Sequence, residues 1–255
     1  MKCFDLTGKV AIITGGNGGL GLGIAKGLAS EGCAVALVGR NQEKIDKAVA
    51  EMKEIGAKAI GVKADVSKED DVNRMVAETV EQLGRVDILF NNAAISWGVA
   101  PEKLTIEDWD QFIAIDLTSC FLCSKAVYPE MVKVGGGKII NVGSAITQKA
   151  MGKLVHYAAA KGGMDHMTQS LALAWGKDNI QVNAILPGLV HTEMMPCFGE
   201  NKIGPVVDYI TKKTPVGRYG MPDDFEGLSL VLSSEASKFI TGSIIVADGG
   251  MTLGI

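Results

Sequence analysis

Short runs rich in β-branched residues alternate with longer amphipathic stretches along the whole 255-residue chain, and this rhythm is its strongest constraint on fold. Strands are predicted over 9–14, 34–38, 57–63, 86–90, 138–142, 181–186 and 243–247. Helices are predicted over 19–30, 42–55, 68–83, 106–132, 155–176 and 222–233. A helix between consecutive strands returns the chain so that the next strand runs parallel to the last. The expected fold is therefore α/β, a doubly wound parallel sheet of about seven strands with helices on both faces. A hydrophobic content of 47% supplies the core, and 32 glycines permit tight turns and close helix–sheet contacts. No linker, repeat or low-complexity tract divides the chain, so residues 1–255 read as one domain. The longest break in the rhythm, 191–215, follows a strand end and reads as a substrate lid.

Charge and cysteine usage exclude several classes of function. A net charge of −4 without a basic cluster argues against nucleic acid as a partner. No apolar run approaches the roughly 20 residues that span a bilayer. The N-terminal M-K-C-F-D-L-T-G-K lacks the apolar core of a signal peptide, so a cytoplasmic protein without a membrane partner is expected. Cys3, Cys33, Cys120, Cys123 and Cys197 are scattered and odd in number, which reads as reduced thiols. Cys120 and Cys123 form a C-x-x-C, but no further ligands stand at zinc spacing, so no metal is expected.

Between the first strand and the first helix lies Thr14-Gly-Gly-Asn-Gly-Gly-Leu-Gly21. Glycines here allow a sharp turn and let backbone approach a pyrophosphate, and the helix N-terminus adds unpaired N–H groups and a favourable dipole. No Lys-Ser/Thr follows, which excludes a P-loop. This strand–turn–helix context makes the sheet Rossmann-type and dinucleotide-binding. The second strand ends in Val38-Gly39-Arg40-Asn41, where an NAD-binding chain carries an acid for the ribose 2′-hydroxyl. Gly39 offers no carboxylate, and Arg40 is suited to a 2′-phosphate while stacking on adenine. NADP(H) is thus expected over NAD(H).

Tyr157 and Lys161 stand four residues apart, on one face of a predicted helix, with Ser144 thirteen residues before the tyrosine. A free tyrosine has a pKa of about 10, too high for easy proton exchange near neutrality. A fixed ammonium nearby favours the phenolate and lowers that value. A serine hydroxyl at a strand end can polarise a carbonyl oxygen. Together these groups describe a general acid/base for interconverting an alcohol and a ketone.

These residues resemble the short-chain dehydrogenase/reductase family over nearly the whole chain. The resemblance rests on T-G-G-N-G-G-L-G at 14–21, Asp65-Val66, N-N-A-A at 91–94, Gly143-Ser144, Tyr157-A-A-A-Lys161 and Asn183. It continues through P-G-L-V-H-T at 187–192, Gly217-Arg218 and D-G-G at 248–250. It implies that Gly15, Asn17, Gly18, Gly19, Leu20 and Gly21 line the pyrophosphate and adenosine ribose. Arg40 and Asn41 stand at that ribose; Asp65 would hold the adenine amino group, with Val66 beside it. Asn92, Ala93 and Lys161 would border the nicotinamide ribose, and Pro187, Gly188, Val190 and Thr192 would seat the ring. Ser144 would orient the substrate oxygen and Tyr157 would exchange its proton. The family also implies a homotetramer, and 212–220 and 232–239 resemble both gluconate 5-dehydrogenases and 3-oxoacyl-carrier-protein reductases.

One position departs from the family pattern: Asp116 stands where an asparagine helps hold a water beside the lysine. Its charge is expected to raise the lysine's pKa and alter the pH optimum; the alternative is that only its backbone carbonyl matters. Gly162 and Gly163 in the catalytic helix imply a close neighbour, either the adjacent helix or a second subunit. The small-molecule alcohol or ketone would meet Ile95, Ser96 and Trp97, Gln148 beyond Ser144, and Met194, Met195 and Phe198 from the lid. Lys202, Lys212 and Lys213 lie near that lid, with solvation as their default role. Two other classes remain. A hydrolase built on Ser144, His156 and Asp165 lacks the G-x-S-x-G elbow. A non-catalytic dinucleotide sensor has no need of the serine, tyrosine and lysine together.

Overall fold

The computed structural model describes residues 2–194 and 205–253. Its strands are β1 Val10–Thr14, β2 Ala34–Gly39, β3 Ala59–Lys63, β4 Ile88–Asn91, β5 Gly137–Val142, β6 Ile180–Pro187 and β7 Ile244–Ala247. They form one seven-stranded sheet in the order β3-β2-β1-β4-β5-β6-β7, parallel throughout. The helices are α1 Gly19–Ser30, α2 Gln42–Glu54, α3 Glu69–Leu83, α4 Ile106–Ile113, α5 Ser119–Lys133, α6 Val155–Trp175, α7 Pro205–Lys213 and α8 Glu226–Ser233. Two apolar clusters form the core, one on each face of the sheet. Val10, Ile12, Ala36 and Val38 point into one with Val72, Met75 and Val127. Ala11, Ile13, Val35 and Leu37 point into the other with Ile24, Leu28 and Met52. The strand alternation thus divides one sheet between two cores.

Strand order reverses at β1, whose neighbours are β2 and β4. In an open α/β sheet the crevice at such a switch point, beyond the carboxyl ends of the strands, receives ligands. Thr14 ties its two walls together. Its hydroxyl donates to the Phe90 carbonyl at 3.2 Å and accepts from the backbone N–H groups of Asn92 and Ala93.

Two departures from the sequence reading, and one choice between alternatives it left open, bear on function. First, the predicted helix 106–132 is not uniform: α4 and α5 are joined by a π turn, Ala114–Thr118. By length and composition Ile106–Lys133 also suffices to cross a bilayer, contrary to the reading that no such stretch exists. Here Cys120, Cys123, Val127 and Met131 are buried, as in a core helix packed on a sheet. Second, the irregular stretch 191–215 contains helix α7, a nine-residue element that the sequence reading left unpredicted. Third, the Gly163 site is closed by Leu117 of the π turn, 3.0 Å from where a Cβ would stand, whereas nothing lies within 4 Å of a Cβ at Gly162. The close neighbour of Gly163 is therefore in the same chain.

Candidate active site

A cleft of roughly 900 Å³ lies at the carboxyl ends of the strands. Its floor at β1 is the glycine turn. Gly15 sits at φ +65°, in the left-handed region that side chains disfavour. A Cβ on Gly21 would stand 2.4 Å from the Gly15 carbonyl oxygen. Gly21 therefore packs beneath the turn and does not line the cleft, contrary to its expected role as a lining residue. Helix α1 begins after Gly18 with no side-chain cap, so its first N–H groups face the opening. Gly18 has open space around a notional Cβ. An uncapped helix start beneath an open glycine turn fits a dinucleotide pyrophosphate.

The remaining expected cofactor residues line the same cleft: Gly15, Asn17, Gly19, Leu20, Arg40, Asn41, Asp65, Val66, Asn92, Ala93, Pro187, Gly188, Val190 and Thr192. Some of these side chains already have work. Asn41 caps α2 by accepting from the Lys44 N–H at 3.0 Å. Asp65 accepts from the Ser67 hydroxyl at 2.7 Å. Asn92 donates to the Thr14 carbonyl at 2.9 Å, locking the two strand ends. Lys44 also lines the ribose end, where sequence reading stopped at Asn41. It pairs with Glu193 beyond β6, and that hydrogen bond holds the Glu193 carboxyl below its usual range.

Helix α6 brings Tyr157 and Lys161 to the cleft on one face, opposite the end of β5, where Ser144 begins a short turn. Tyr157 and Lys161 are buried. The Lys161 ammonium donates to the Val142 carbonyl at 3.0 Å and lies 5.7 Å from the centre of the Tyr157 ring. The Ser144 Oγ accepts from the Ile146 N–H at 3.3 Å. Burial pushes the Tyr157 hydroxyl above its ordinary pKa; Lys161 and the nearby Ser144 hydroxyl pull it back, and Asp116 pushes it further up. The expected effect of Lys161 is present, but desolvation outweighs it, so the net shift is upward, opposite to the expected lowering. Burial likewise disfavours the Lys161 cation, yet the negative charge of Tyr157, Asp116, Cys120 and Asp165 around it raises its pKa overall.

Asp116 is fully buried in the π turn, a distortion that often marks functional positions in helices. One carboxylate oxygen accepts from the Ile95 N–H at 3.1 Å and lies 3.8 Å from the Lys161 ammonium. Its other oxygen is buried without a hydrogen-bond partner. Burial moves its pKa from 3.8 up to about 6, against the opposing pull of Lys161 and the Ile95 hydrogen bond. Asp116 does not line the cleft but stands behind Lys161.

The substrate side differs from the sequence reading. Trp97 does not line the cleft: its ring packs 4.3 Å from that of Phe112, and its carbonyl meets His156 Nε2 at 3.0 Å. Gln148 is exposed and donates to the Thr147 hydroxyl at 3.3 Å, also outside the cleft. Its neighbour Lys149 lines the cleft instead, because the short turn after Ser144 rotates adjacent side chains apart. Ser96, Ile146, Met151, Leu154 and Met194 complete this wall, with Val207, Tyr209 and Ile210 from α7. Ile95 packs against the small cluster of Phe112, Ile146 and Tyr157. Met195, Cys197, Phe198 and Lys202 lie outside the described residues.

A family model described as enoyl-(acyl carrier protein) reductase matches residues 15–252. The chain belongs to the short-chain dehydrogenase/reductase family. This reductase-family chain is 40% identical to 2-dehydro-3-deoxy-D-gluconate 5-dehydrogenase of Formosa agariphila over 250 residues, covering 97% of the chain and 94% of that relative. It is 35% identical to gluconate 5-dehydrogenase of Gluconobacter oxydans over 252 residues, 99% of the chain and 98% of that relative. A gluconate 5-dehydrogenase from Burkholderia cenocepacia, solved in complex with NADP and tartrate, superposes with a TM-score of 0.93 at 32% identity, covering 99% and 98% of the two chains. Like its relatives, this family member is an oxidoreductase acting on CH–OH donors.

Proposed function

We propose that this protein is an NADP(H)-dependent oxidoreductase that interconverts a secondary alcohol and a ketone on a sugar acid. The observation that carries this reading is the meeting of Ser144, Tyr157 and Lys161 in one cleft with the glycine turn and the 187–192 segment. When bound, the nicotinamide exchanges a hydride with the substrate carbon. Tyr157 gives a proton to the carbonyl oxygen in reduction and takes it back in oxidation. Ser144 orients and polarises that oxygen. Lys161, held by the Val142 carbonyl, stabilises the phenolate that forms when the proton leaves. Gly15, Asn17, Gly18, Gly19 and Leu20 hold the pyrophosphate, and Pro187, Gly188, Val190 and Thr192 seat the ring. Arg40 and Lys44 at the ribose end, with Gly39 in place of an acid, support NADP(H) over NAD(H).

The sugar-acid reading is supported by the activities named for the relatives above. A 3-oxoacyl thioester is the second reading, favoured by the apolar stretch Ile146, Met151, Leu154 and Val207 of the cleft wall. The lid reading of 191–215 in a single domain is supported by its described residues, 191–194 and 205–215, which bring Met194, Val207, Tyr209 and Ile210 to the cleft. Apolar residues exposed on two parts of the surface, Phe121 and Leu173 on the α4–α6 side and Phe239 and Leu253 near β7, support a homotetramer. The test is loss of nicotinamide absorbance with a sugar keto-acid, a 3-oxoacyl thioester and a cyclic ketone, with NADPH and NADH in parallel. Faster turnover of the sugar keto-acid with NADPH is expected; a clear preference for NADH or for either other ketone overturns the corresponding part.

A further inference from the structure

We propose that Lys149 is a specificity residue that anchors the carboxylate of an acidic substrate, at the end of the molecule remote from the reacting carbon. The inference deepens the sugar-acid reading above and rests on it. The cations lining the cleft among the described residues fall into separate groups. Arg40 and Lys44 stand at the ribose end, beside Gly39 and Asn41. Lys161 is buried behind Tyr157 and committed to the Val142 carbonyl. Lys149 belongs to the substrate wall, with Ile146, Ala150, Met151 and Leu154 as neighbours along the chain. Ile146, Met151 and Leu154 flank it on that wall, and opposite charges at a protein surface attract more strongly than in bulk water, so a cation there favours a charged ligand over a neutral one.

Its position is tied to the reacting groups. Successive turn hydrogen bonds run from Ser144 to Lys149: Thr147 N–H to the Ser144 carbonyl at 3.1 Å, Gln148 N–H to Ala145 at 3.0 Å and Lys149 N–H to Ile146 at 3.2 Å. The Thr147 hydroxyl adds a bond to the Ser144 carbonyl at 3.2 Å. Beyond Lys149 the segment is pinned again, by Val99 N–H to the Lys153 carbonyl and Leu154 N–H to Met151, before Tyr157 begins its work on α6. The backbone carrying Lys149 is thus indexed to Ser144 on one side and Tyr157 on the other. A keto-acid with its carbonyl between Ser144 and Tyr157 extends its other end along this wall, where the ammonium makes a charge-assisted hydrogen bond with the carboxylate. A neutral ketose of the same length gains nothing from Lys149.

The test compares kcat/KM for a six-carbon sugar keto-acid with that for the neutral ketose of equal length, in the wild type, Lys149→Gln and Lys149→Arg. NADPH affinity and melting temperature are measured on all three. In Lys149→Gln the acid-over-neutral ratio should fall about ten- to a hundredfold, mainly through KM for the acid, the loss expected for one charge-assisted hydrogen bond. Lys149→Arg should retain most of the ratio. An unchanged ratio in Lys149→Gln, or equal losses on both substrates, overturns the anchor. Should wild type reduce cyclic ketones or thioesters but not the keto-acid, the sugar-acid reading itself falls, and the anchor with it. That failure appears before any substitution is made and is distinguishable from the first.

Discussion

The sheet buries an aspartate at each end, and the two are treated oppositely. Asp87, at the amino end beside β4, accepts from the Val10 N–H at 3.0 Å, from Lys9 at 3.1 Å and from both Arg85 nitrogens at 2.7 and 2.6 Å. Every one of its contacts is to a donor, and two of the partners are cations reaching in from the half-exposed rim. Asp116, at the carboxyl end, has one hydrogen bond, an orphaned oxygen and a lysine 3.8 Å away. A buried carboxylate supplied with donors holds structure together; one left short of them is kept only where its charge or proton has a use. The amino end is built for stability and the carboxyl end for chemistry.

Substitutions can break this contrast. The largest effect belongs to Tyr157→Phe, which should lower kcat about a hundred- to ten-thousandfold while NADPH binding and melting temperature hold. Steady-state kinetics beside cofactor titration check it; a similar loss of cofactor affinity would point to misfolding instead. Asp87→Ala should do the reverse. Stripping the acceptor from a buried N–H and two cations is expected to cost about 3 kcal/mol of stability, with turnover per folded molecule unchanged. Denaturant melts with activity normalised to the folded fraction decide it.

Asp116→Asn is the more discriminating change. The carboxyl's pKa rises from 3.8 to about 6 in the fold, so the folded chain keeps its proton to higher pH than the unfolded chain does. Its contribution to stability is complete below about pH 4 and is lost as pH rises through about 6. Asparagine remains neutral, so the variant should match wild type near pH 4 and exceed it by on the order of 2 kcal/mol above pH 7. Alcohol oxidation should shift to lower pH as well, because the Asp116 charge pushes the Tyr157 pKa up. Melts and pH–rate profiles together separate this from a purely structural role, which would leave the profile where it is. Arg40→Ala should have the smallest effect, raising KM for NADPH about tenfold and that for NADH little. Equal changes for both cofactors would show that Arg40 serves adenine alone.

Much of the fold was legible because its signals are local. β-Branched runs, amphipathic helices and the glycine turn each act within a few residues, and the parallel order follows from their alternation. The boundaries of β1, α1 and α3 lie within a residue of the reading. The pairing of Tyr157 with Lys161 was equally local, set by helical spacing. Legibility failed where a side chain's direction depends on distant packing. Trp97 and Gln148 were expected in the cleft, yet Phe112 takes the first and the turn after Ser144 turns the second outward. Lys149 carried no signal apart from its neighbours' motif. The π turn escaped because nothing in 106–132 announces it; it is the place where Leu117 meets Gly163 and Asp116 meets Lys161.

The sequence alone determined the class of this protein: a parallel nucleotide-binding sheet carrying a tyrosine, lysine and serine at spacings that local structure converts into one reactive face. The tertiary structure decided how that face is tuned. Whether Lys161 lowers the tyrosine or burial raises it depends on how much water is excluded, a property of the whole packed cleft. The state of Asp116 likewise depends on groups distant in sequence, Ile95 on one loop and Lys161 on another helix, brought to a carboxylate that water no longer reaches. Spacing along a chain sets which groups can meet; only the closed fold sets the dielectric in which they do.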